Sequence, residues 1–502
     1  MAYIDVPKEI NSKEVLENEC NLSASSYKHL DTKRAKTSLS KKYENLLQDF
    51  YSLDGYAFSS NIFTSNPNQA LPLIQISNVN QSDFYLSKQF NRFIPNINAK
   101  EKFLLDKPCV LLSLTGGENQ DNISAFCEGN EKFLLNQRVS AYFHKTNKTH
   151  FLYLFLAFTK HNFFKSQMQG KGGVQKNIIS SDKEKLYVPK ITDNKVLEFI
   201  EILTQSIIIK EKLIKERHTR ILNIIESELL NNQKPNAFCY TYPTFKELQE
   251  SGRLDTGIYC EEFKKLDFLI KNYKNGVFYI DEKKIKSGST PKTRFIGKEE
   301  FLLYQWISPS HCSDYGTIKE VERINFIGKP NLTQDCILLI NRGQGYDCGK
   351  SIFYSFMDSK KGQHNQGMYR VFDYPEFQML FMLCFLNAKF MRTYCSYLSL
   401  GSKMKELKIE HFLQIPFPNF PKNLQEQIAL LYHNPNTKLD YKNLNLENFK
   451  IQDEAFCKNA GIYELDKSIK YLKNILNSCI DNIVNDREVK IDFGQIDTTQ
   501  ER

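Results

Sequence analysis

The chain has 502 residues, 41% hydrophobic and 25% charged. Those are the proportions of a folded protein with room for about two to four domains, and they exclude a disordered chain. Its 67 lysines and arginines against 58 acidic residues leave a charge of +9, which permits a polyanionic partner without requiring one. The twelve cysteines are scattered singly, without a CxxC pair or histidines at metal spacing. That pattern gives no sign of a disulfide framework or a zinc site and predicts buried thiols in a reducing cytoplasm. The start, MAYIDVPKEI, has no apolar run behind a basic residue, so no signal peptide is expected.

Residues 1–20 read as an N-terminal extension and 21–190 as a first domain. In that domain PLIQI, CVLLSL and RVSAYF are β-rich runs between Gly, Asn and Asp turns, followed by an apolar helix beginning FLYLFLAF at Phe151. Residues 191–234 follow as a spacer helix. From Val196 to Leu230 there is no Gly or Pro, and apolar residues fall at Ile200, Leu203, Ile207, Ile214, Ile221 and Ile224. Lys210 and Arg217 occupy two positions of the same seam, and the spacing predicts a helix of about 50 Å.

The second domain, 235–421, carries CILLI and MYRVF as strands and FQMLFMLCFL from Phe377 as a helix. The apolar stretch from Phe377 to Met391 is shorter than the roughly 20 residues a membrane crossing needs and is interrupted by Asn387 and Lys389. It reads as buried, and no membrane partner is expected. Residues 422–490 form a distal helical region, with a heptad seam at Ile462, Leu465, Ile469, Leu472, Leu476, Cys479 and Ile483. Within it 432–460, rich in Asn and Lys, reads as an inserted loop or partner contact, and 491–502 as a flexible tail. Two heptad helices in one chain are expected to pair.

The chain also repeats itself. LSASSY at Leu22 faces LDTGIY at Leu254, 232 positions on. Gln75 in PLIQIS faces Gln305 in LLYQWIS, CVLLSLTGG at Cys109 faces CILLINRGQG at Cys336, and NQRVSAYF at Asn136 faces NQGMYRVF at Asn365. Finally Pro189 in KLYVPKI faces Pro416 in FLQIPFP. Five matches in one order, with offsets between 227 and 232, imply two copies of one domain.

The usual catalytic patterns are absent: no GxxxxGK[ST], HExxH or GxSxG, and no [DNS]PP[YFW] of the amino-methyltransferases. The glycines from Gly170 to Gly173 follow a helix, an unsuitable place for a nucleotide cradle. Catalysis is therefore expected on another chain.

The polar residues that stand out cluster in loops. In the first copy they are Arg138, beside Asn136 and Gln137, then Lys171, Gln175, Lys176 and Asn177. In the second they are Lys286, Ser287, Lys292 and Arg294, then Asn341, Arg342 and Gln344, then Ser402, Lys403 and Lys405. Arg, Asn and Gln can pair with base edges in the major groove, whereas Lys and Ser suit phosphates. Any one of these side chains could equally be a solvated loop residue whose Gly, Ser and Asn neighbours serve turn geometry. Asn136 and Gln137, matched by Asn365 and Gln366, are shared by both copies. A shared pair fits architecture, while differing loops fit readers of different sequences.

On GYAFSSNIF with PLIQISNV, LLSLTGG with LLNQRVSAYF, and GKGGVQKNI with LYVPKI, the first half resembles the specificity subunits of type I restriction-modification systems. RLDTGIY, KSGSTPKTR, CILLINRGQG, HNQGMYRVF and LGSKMKELKIEHFLQIPFPNFPKNLQEQI carry the same resemblance in the second half. It spans about residues 20–485. The first copy departs from it in reading SSNIFTSNPN where the second has KSGSTP, and its junction LYVPKITDNKV lacks a second proline.

The resemblance implies an α+β chain with two tandem target-recognition domains, mixed curved sheets with helices, separated and followed by long helices that pair as an antiparallel coiled-coil spacer. It further implies a non-catalytic DNA-binding subunit that recognises a bipartite site. The partners would be double-stranded DNA, DNA methyltransferase subunits and a restriction or translocase subunit. The chain itself would bind no cofactor or metal; S-adenosylmethionine, Mg2+ and ATP would belong to partners. A stand-alone DNA-modifying enzyme and a protein-interaction scaffold remain alternatives on residues alone.

Overall fold

The computed structural model describes residues 9–17, 20, 43–79, 82–116, 123–165, 167–168, 176–177, 183, 186–290, 294–295, 304–319, 323–326, 331–359 and 362–494. The chain divides into two units. One comprises Met1–Lys212, Leu439–Ala455 and Lys467–Arg502; the other comprises Leu213–Lys438 and Phe456–Asp466.

In the first unit Phe50–Asp54, Val139–His144, Cys109–Ser113 and Ser124–Cys127 form an antiparallel sheet in that order. Its last three strands are buried along their whole length, which is why they read as unbroken apolar runs instead of alternating ones. The helix Thr149–Lys160 packs on this sheet, burying Leu152, Phe155 and Leu156. A second sheet, Phe93–Pro95, Ala70–Ile74, Phe133–Leu135 and Leu104–Leu105, supplies Ile74, Leu105, Phe133 and Leu135 to a core shared with Leu111, Ala125 and Ala141 of the first. Ala70–Ile74 runs parallel to Phe133–Leu135.

The second unit repeats this plan. Ile285–Ser287, Met368–Phe372, Cys336–Ile340 and Ser351–Tyr354 form one antiparallel sheet. Beside it lies a second of Arg294–Phe295, Arg323–Phe326, Tyr304–Ile307 and Gly362–His364, in which Tyr304–Ile307 runs parallel to Gly362–His364. The helix Glu376–Leu386, buried from Met379 to Leu386, covers the first sheet.

Strand pairing refines the repeat. The starts of Cys109–Ser113 and Cys336–Ile340, and of Val139–His144 and Met368–Phe372, occupy the same sheet positions, as the sequence match has them. Two matches are corrected. Leu73 lies opposite Leu134 as Trp306 lies opposite Gln363, so Gln305 sits inside its strand while Gln75 follows its own. Pro189 pairs with Tyr43 as Pro418 pairs with Val277, so Pro418 and not Pro416 is the counterpart. The Leu22 string lies outside the described residues.

One crossing is the same in both copies. A Cβ on Gly55 would stand 2.1 Å from the Asn136 carbonyl oxygen, and a Cβ on Gly288 would stand 2.1 Å from that of Asn365. Gly55 N donates to Val139 O and Gly288 N to Met368 O, each at 3.1 Å. Only glycine lets the two backbones approach this closely.

Asn194–Asn231 is one helix, and it buries Ile200, Leu203, Ile207, Ile214 and Ile221. Its stripe then shifts by one residue: Ile225 and Leu229 are buried, and Ile224 is half-buried. The helix Ile462–Val484 buries Ile462, Leu465, Ile469, Leu472, Leu476 and Cys479, with Val484 buried in place of Ile483. Within the first unit the two helices are antiparallel. Lys473 Nζ lies 2.9 Å from Glu211 Oε1, while Tyr43, paired with Pro189 just before the first helix, donates its hydroxyl to Val484 O at 3.1 Å.

Two expectations about the distal region change. Much of 432–460 is helical, at Phe449–Asn459, and its Asp453 forms a buried ion pair with Lys210 while accepting from Ser206 Oγ at 2.7 Å. The supposed tail carries Phe493, fully buried, stacked on Phe449 and edge-on to Phe199. No helix among the described residues is long and apolar enough to cross a membrane.

Candidate nucleic-acid interface

The glycine crossing presents a turn in each copy. In the first, Asn136 Oδ1 accepts from Arg138 N at 3.2 Å, Asn136 O accepts from Val139 N at 2.9 Å, and Arg138 O accepts from Leu114 N at 2.8 Å. In the second, Asn365 Oδ1 accepts from Gly367 N at 2.7 Å, Asn365 O from Met368 N at 3.0 Å, and Gly367 O from Asn341 N at 2.9 Å. Asn136 and Asn365 are thus turn formers. The backbone is satisfied by the turn itself, and the residue at its tip differs: an exposed Arg138 in one copy, a buried Gly367 in the other, where a Cβ would stand 3.1 Å from Asn365 Oδ1.

A two-strand ribbon continues from each turn. Thr115–Gly116 pairs with Lys176–Asn177 in the first copy, and Arg342–Gly343 pairs with Lys405–Glu406 in the second. Arg138, Lys176 and their ribbon therefore share one corner of the first domain. Arg342, Gln344, Lys403 and Lys405 share the matching corner of the second.

There Arg342 NH2 donates to Glu406 Oε1 at 2.9 Å, with both side chains about half exposed. Leu400 and Glu406 exchange backbone hydrogen bonds of 2.8 Å each and close a hairpin with Ser402, Lys403 and Met404 exposed at its tip. Gly401 turns that hairpin at φ +96°, a left-handed conformation that favours glycine. Burial first, then the Glu406 charge, pushes Tyr369 up to about 12. Its hydroxyl therefore stays protonated and donates to Leu407 O at 3.0 Å, anchoring the ribbon's base.

Lys405 differs from its neighbours. Its ammonium donates to Ser396 O at 2.9 Å and to Ser396 Oγ, so two of its three donors serve the domain itself. Lys176, at the matching ribbon position, has its backbone paired opposite Gly116. Asn341, 7% exposed, donates Nδ2 to Gln366 O at 3.1 Å and is likewise architectural. Gln344 is exposed, and its carbonyl accepts from Asp347 N at 3.0 Å.

The remaining candidates sit apart. Lys286 is exposed on the edge strand Ile285–Ser287, opposite Arg370. Arg294 lies in a short strand opposite Phe326. Lys171, Gln175 and Lys292 fall outside the described residues. Sequence reasoning passed over Glu406 and the 62% exposed Tyr346 because it sought cations and amides; only the strand pairing sets Glu406 against Arg342.

No protein-family model and no curated protein matches the chain. Among solved structures it is similar to the type I restriction-modification system S subunit from M. genitalium, at 12% identity, 88% of this chain, 95% of that chain and a TM-score of 0.42. It is similar to the HsdS subunit from Thermoanaerobacter tengcongensis at 11% identity, 88% and 96% coverage and a TM-score of 0.27. The type IIG restriction endonuclease BpuSI matches at 12% identity over 39% of this chain and 30% of that one, with a TM-score of 0.28. Along most of its length, this chain is distantly similar to S subunits of type I restriction-modification systems.

Proposed function

We propose that this chain is a DNA-reading specificity subunit whose two domains each recognise one half of a bipartite duplex site. One observation carries the proposal: the same frame occurs twice, and different residue types stand at its matching corner, with Arg138 exposed in one copy and Arg342 in the other. Arg138 stands where the second copy has Gly367, and Arg342 and Glu406 stand where the first has Thr115 and Asn177. Donor and acceptor side chains set on rigid turns suit the edges of guanine, adenine and cytosine, and a neighbouring lysine such as Lys403 suits phosphates. The antiparallel helices fit a spacer role, and the motif resemblance fits a subunit that acts through partners.

In this proposal DNA methyltransferase subunits bind S-adenosylmethionine and methylate adenine. A restriction or translocase subunit uses ATP and Mg2+ to cleave, and the chain itself does no chemistry. The test is co-expression with a DNA methyltransferase subunit from the same genome, followed by single-molecule sequencing to map modified adenines. A split motif with a fixed gap, present only when this chain is included, is the expected result. Unchanged modification with and without the chain would overturn the proposal.

A further inference from the structure

Among the exposed ion pairs, the one between Arg342 and Glu406 lies on the ribbon where the first copy has Thr115 and Asn177. An ion pair this exposed contributes only about 0–1 kcal/mol to folding, so stability does not account for its placement. Its geometry suits another task. The two residues are directly opposed on the paired strands Arg342–Gly343 and Lys405–Glu406. Glu406 is held from its other side by the Leu400 backbone, so its position is fixed twice.

One guanidinium nitrogen of Arg342 binds Glu406 Oε1. The remaining Arg342 donors and Glu406 Oε2 make no hydrogen bond among the described residues. A donor fork therefore stands beside a free acceptor, with exposed Lys403 on the adjoining hairpin.

We infer that Arg342 and Glu406 act together as a reader of one G·C base pair, resting on the proposed DNA-reading function. Arg342 gives a bidentate contact to guanine O6 and N7, and Glu406 accepts from the exocyclic amine of the paired cytosine. The carboxylate also restrains the guanidinium through one hydrogen bond before DNA arrives, so less side-chain freedom is lost on binding. An A·T pair in the same place offers no second acceptor beside N7 and places the thymine O4 acceptor against the carboxylate. The pair would thus reject A·T by repulsion as well as by lost contacts. The first copy has Thr115 and Asn177 at these positions, so its half-site is read by other means.

The test selects duplexes with a randomised central segment on the full-length chain, wild type, Arg342→Ala and Glu406→Gln, at one salt concentration. The wild type is expected to select a two-part consensus with a G·C pair in one half. Arg342→Ala should lose preference at that one position by about ten-fold to a hundred-fold, and Glu406→Gln should lose part of it. The other half-site should be unchanged in both variants. An unaltered consensus in both variants, or an alteration at an A·T position, would overturn the role of the pair while leaving the functional reading standing. A wild-type chain that selects no consensus, alone or with its methyltransferase, overturns that reading and the pair's role with it. Thermal melting of both variants checks that they fold; since the pair is half exposed, a melting temperature close to wild type is expected.

Discussion

Lys210, with no exposed surface, places its ammonium against the carboxylate of Asp453, itself 9% exposed, and Ser206 donates to the other carboxylate oxygen. Removing one partner would strand a charge where water cannot reach it. Asp453→Ala is therefore expected to destabilise the first unit by about 3–5 kcal/mol, whereas Lys210→Met with Asp453→Leu should come close to wild type. Urea unfolding of the three proteins decides this; a mild effect of Asp453→Ala alone would mean that water enters the site.

Gly55→Ala and Gly288→Ala should be equally harmful. Each new methyl would meet a backbone carbonyl 2.1 Å away, and the obstacle is main chain, with no side chain that can swing aside. A loss of about 3 kcal/mol is expected for each, the upper part of the range for overpacking. If either alanine left the melting temperature unchanged, the crossing at that glycine would be looser than described.

Arg138→Ala should leave stability within about 0.5 kcal/mol, because the turn is held by Asn136 and not by the arginine side chain. Binding to the specific site should weaken by about 1–3 kcal/mol, and binding to random DNA by less. The same comparison applies to Arg294→Ala. Equal losses on both DNAs, measured at one salt concentration, would assign the residue to a phosphate.

Burial, followed by the neighbouring Arg370 charge, lowers His364 to about 4, against about 6.5 in an unfolded chain. A histidine held neutral contributes stability that is fully present above pH 6.5 and is lost as pH falls from there toward 4. The loss amounts to roughly 3 kcal/mol. His364→Gln should lack this part of the acid dependence. Parallel stability curves for the two proteins between pH 7 and 4 would count against it.

Exposure separates the thiols. Cys20 and Cys239 are exposed, whereas Cys109, Cys312, Cys336, Cys348, Cys384, Cys395, Cys457 and Cys479 are buried. Burial pushes Cys312, Cys395 and Cys479 up to about 12, which suppresses the reactive thiolate. Iodoacetamide should therefore label Cys20 and Cys239 first in the native protein, and rapid modification of Cys336 would contradict its burial.

Much of the fold could be read from unbroken apolar strings. CVLL and CILL are central strands covered on both faces, so nothing in them is free to vary toward polar residues. Matches at short strands beside loops of unequal length, at Gln75 and Pro189, slipped by two or three residues because little local pattern fixed their register. The helix Phe449–Asn459 escaped notice for a different reason: its buried stripe includes Asp453, whose charge interrupts the apolar period and is explained only by Lys210. Lys210 had itself seemed an irregular seam position. The candidate corner was half legible. Arg138 and Arg342 stood out by type, but Glu406 became visible only through strand register.

The crossings at Gly55 and Gly288 bear on descent. Between the two copies the tip of the turn changes from Arg138 to Gly367 and the covering helix has 12 residues in one and 11 in the other, yet each retains a gap too narrow for one methyl group. A frame tied at that gap can accept new residues at its turn and ribbon without altering the path of the chain. One trace of the repeat is then an empty space, which filling would turn into a separation of two backbones.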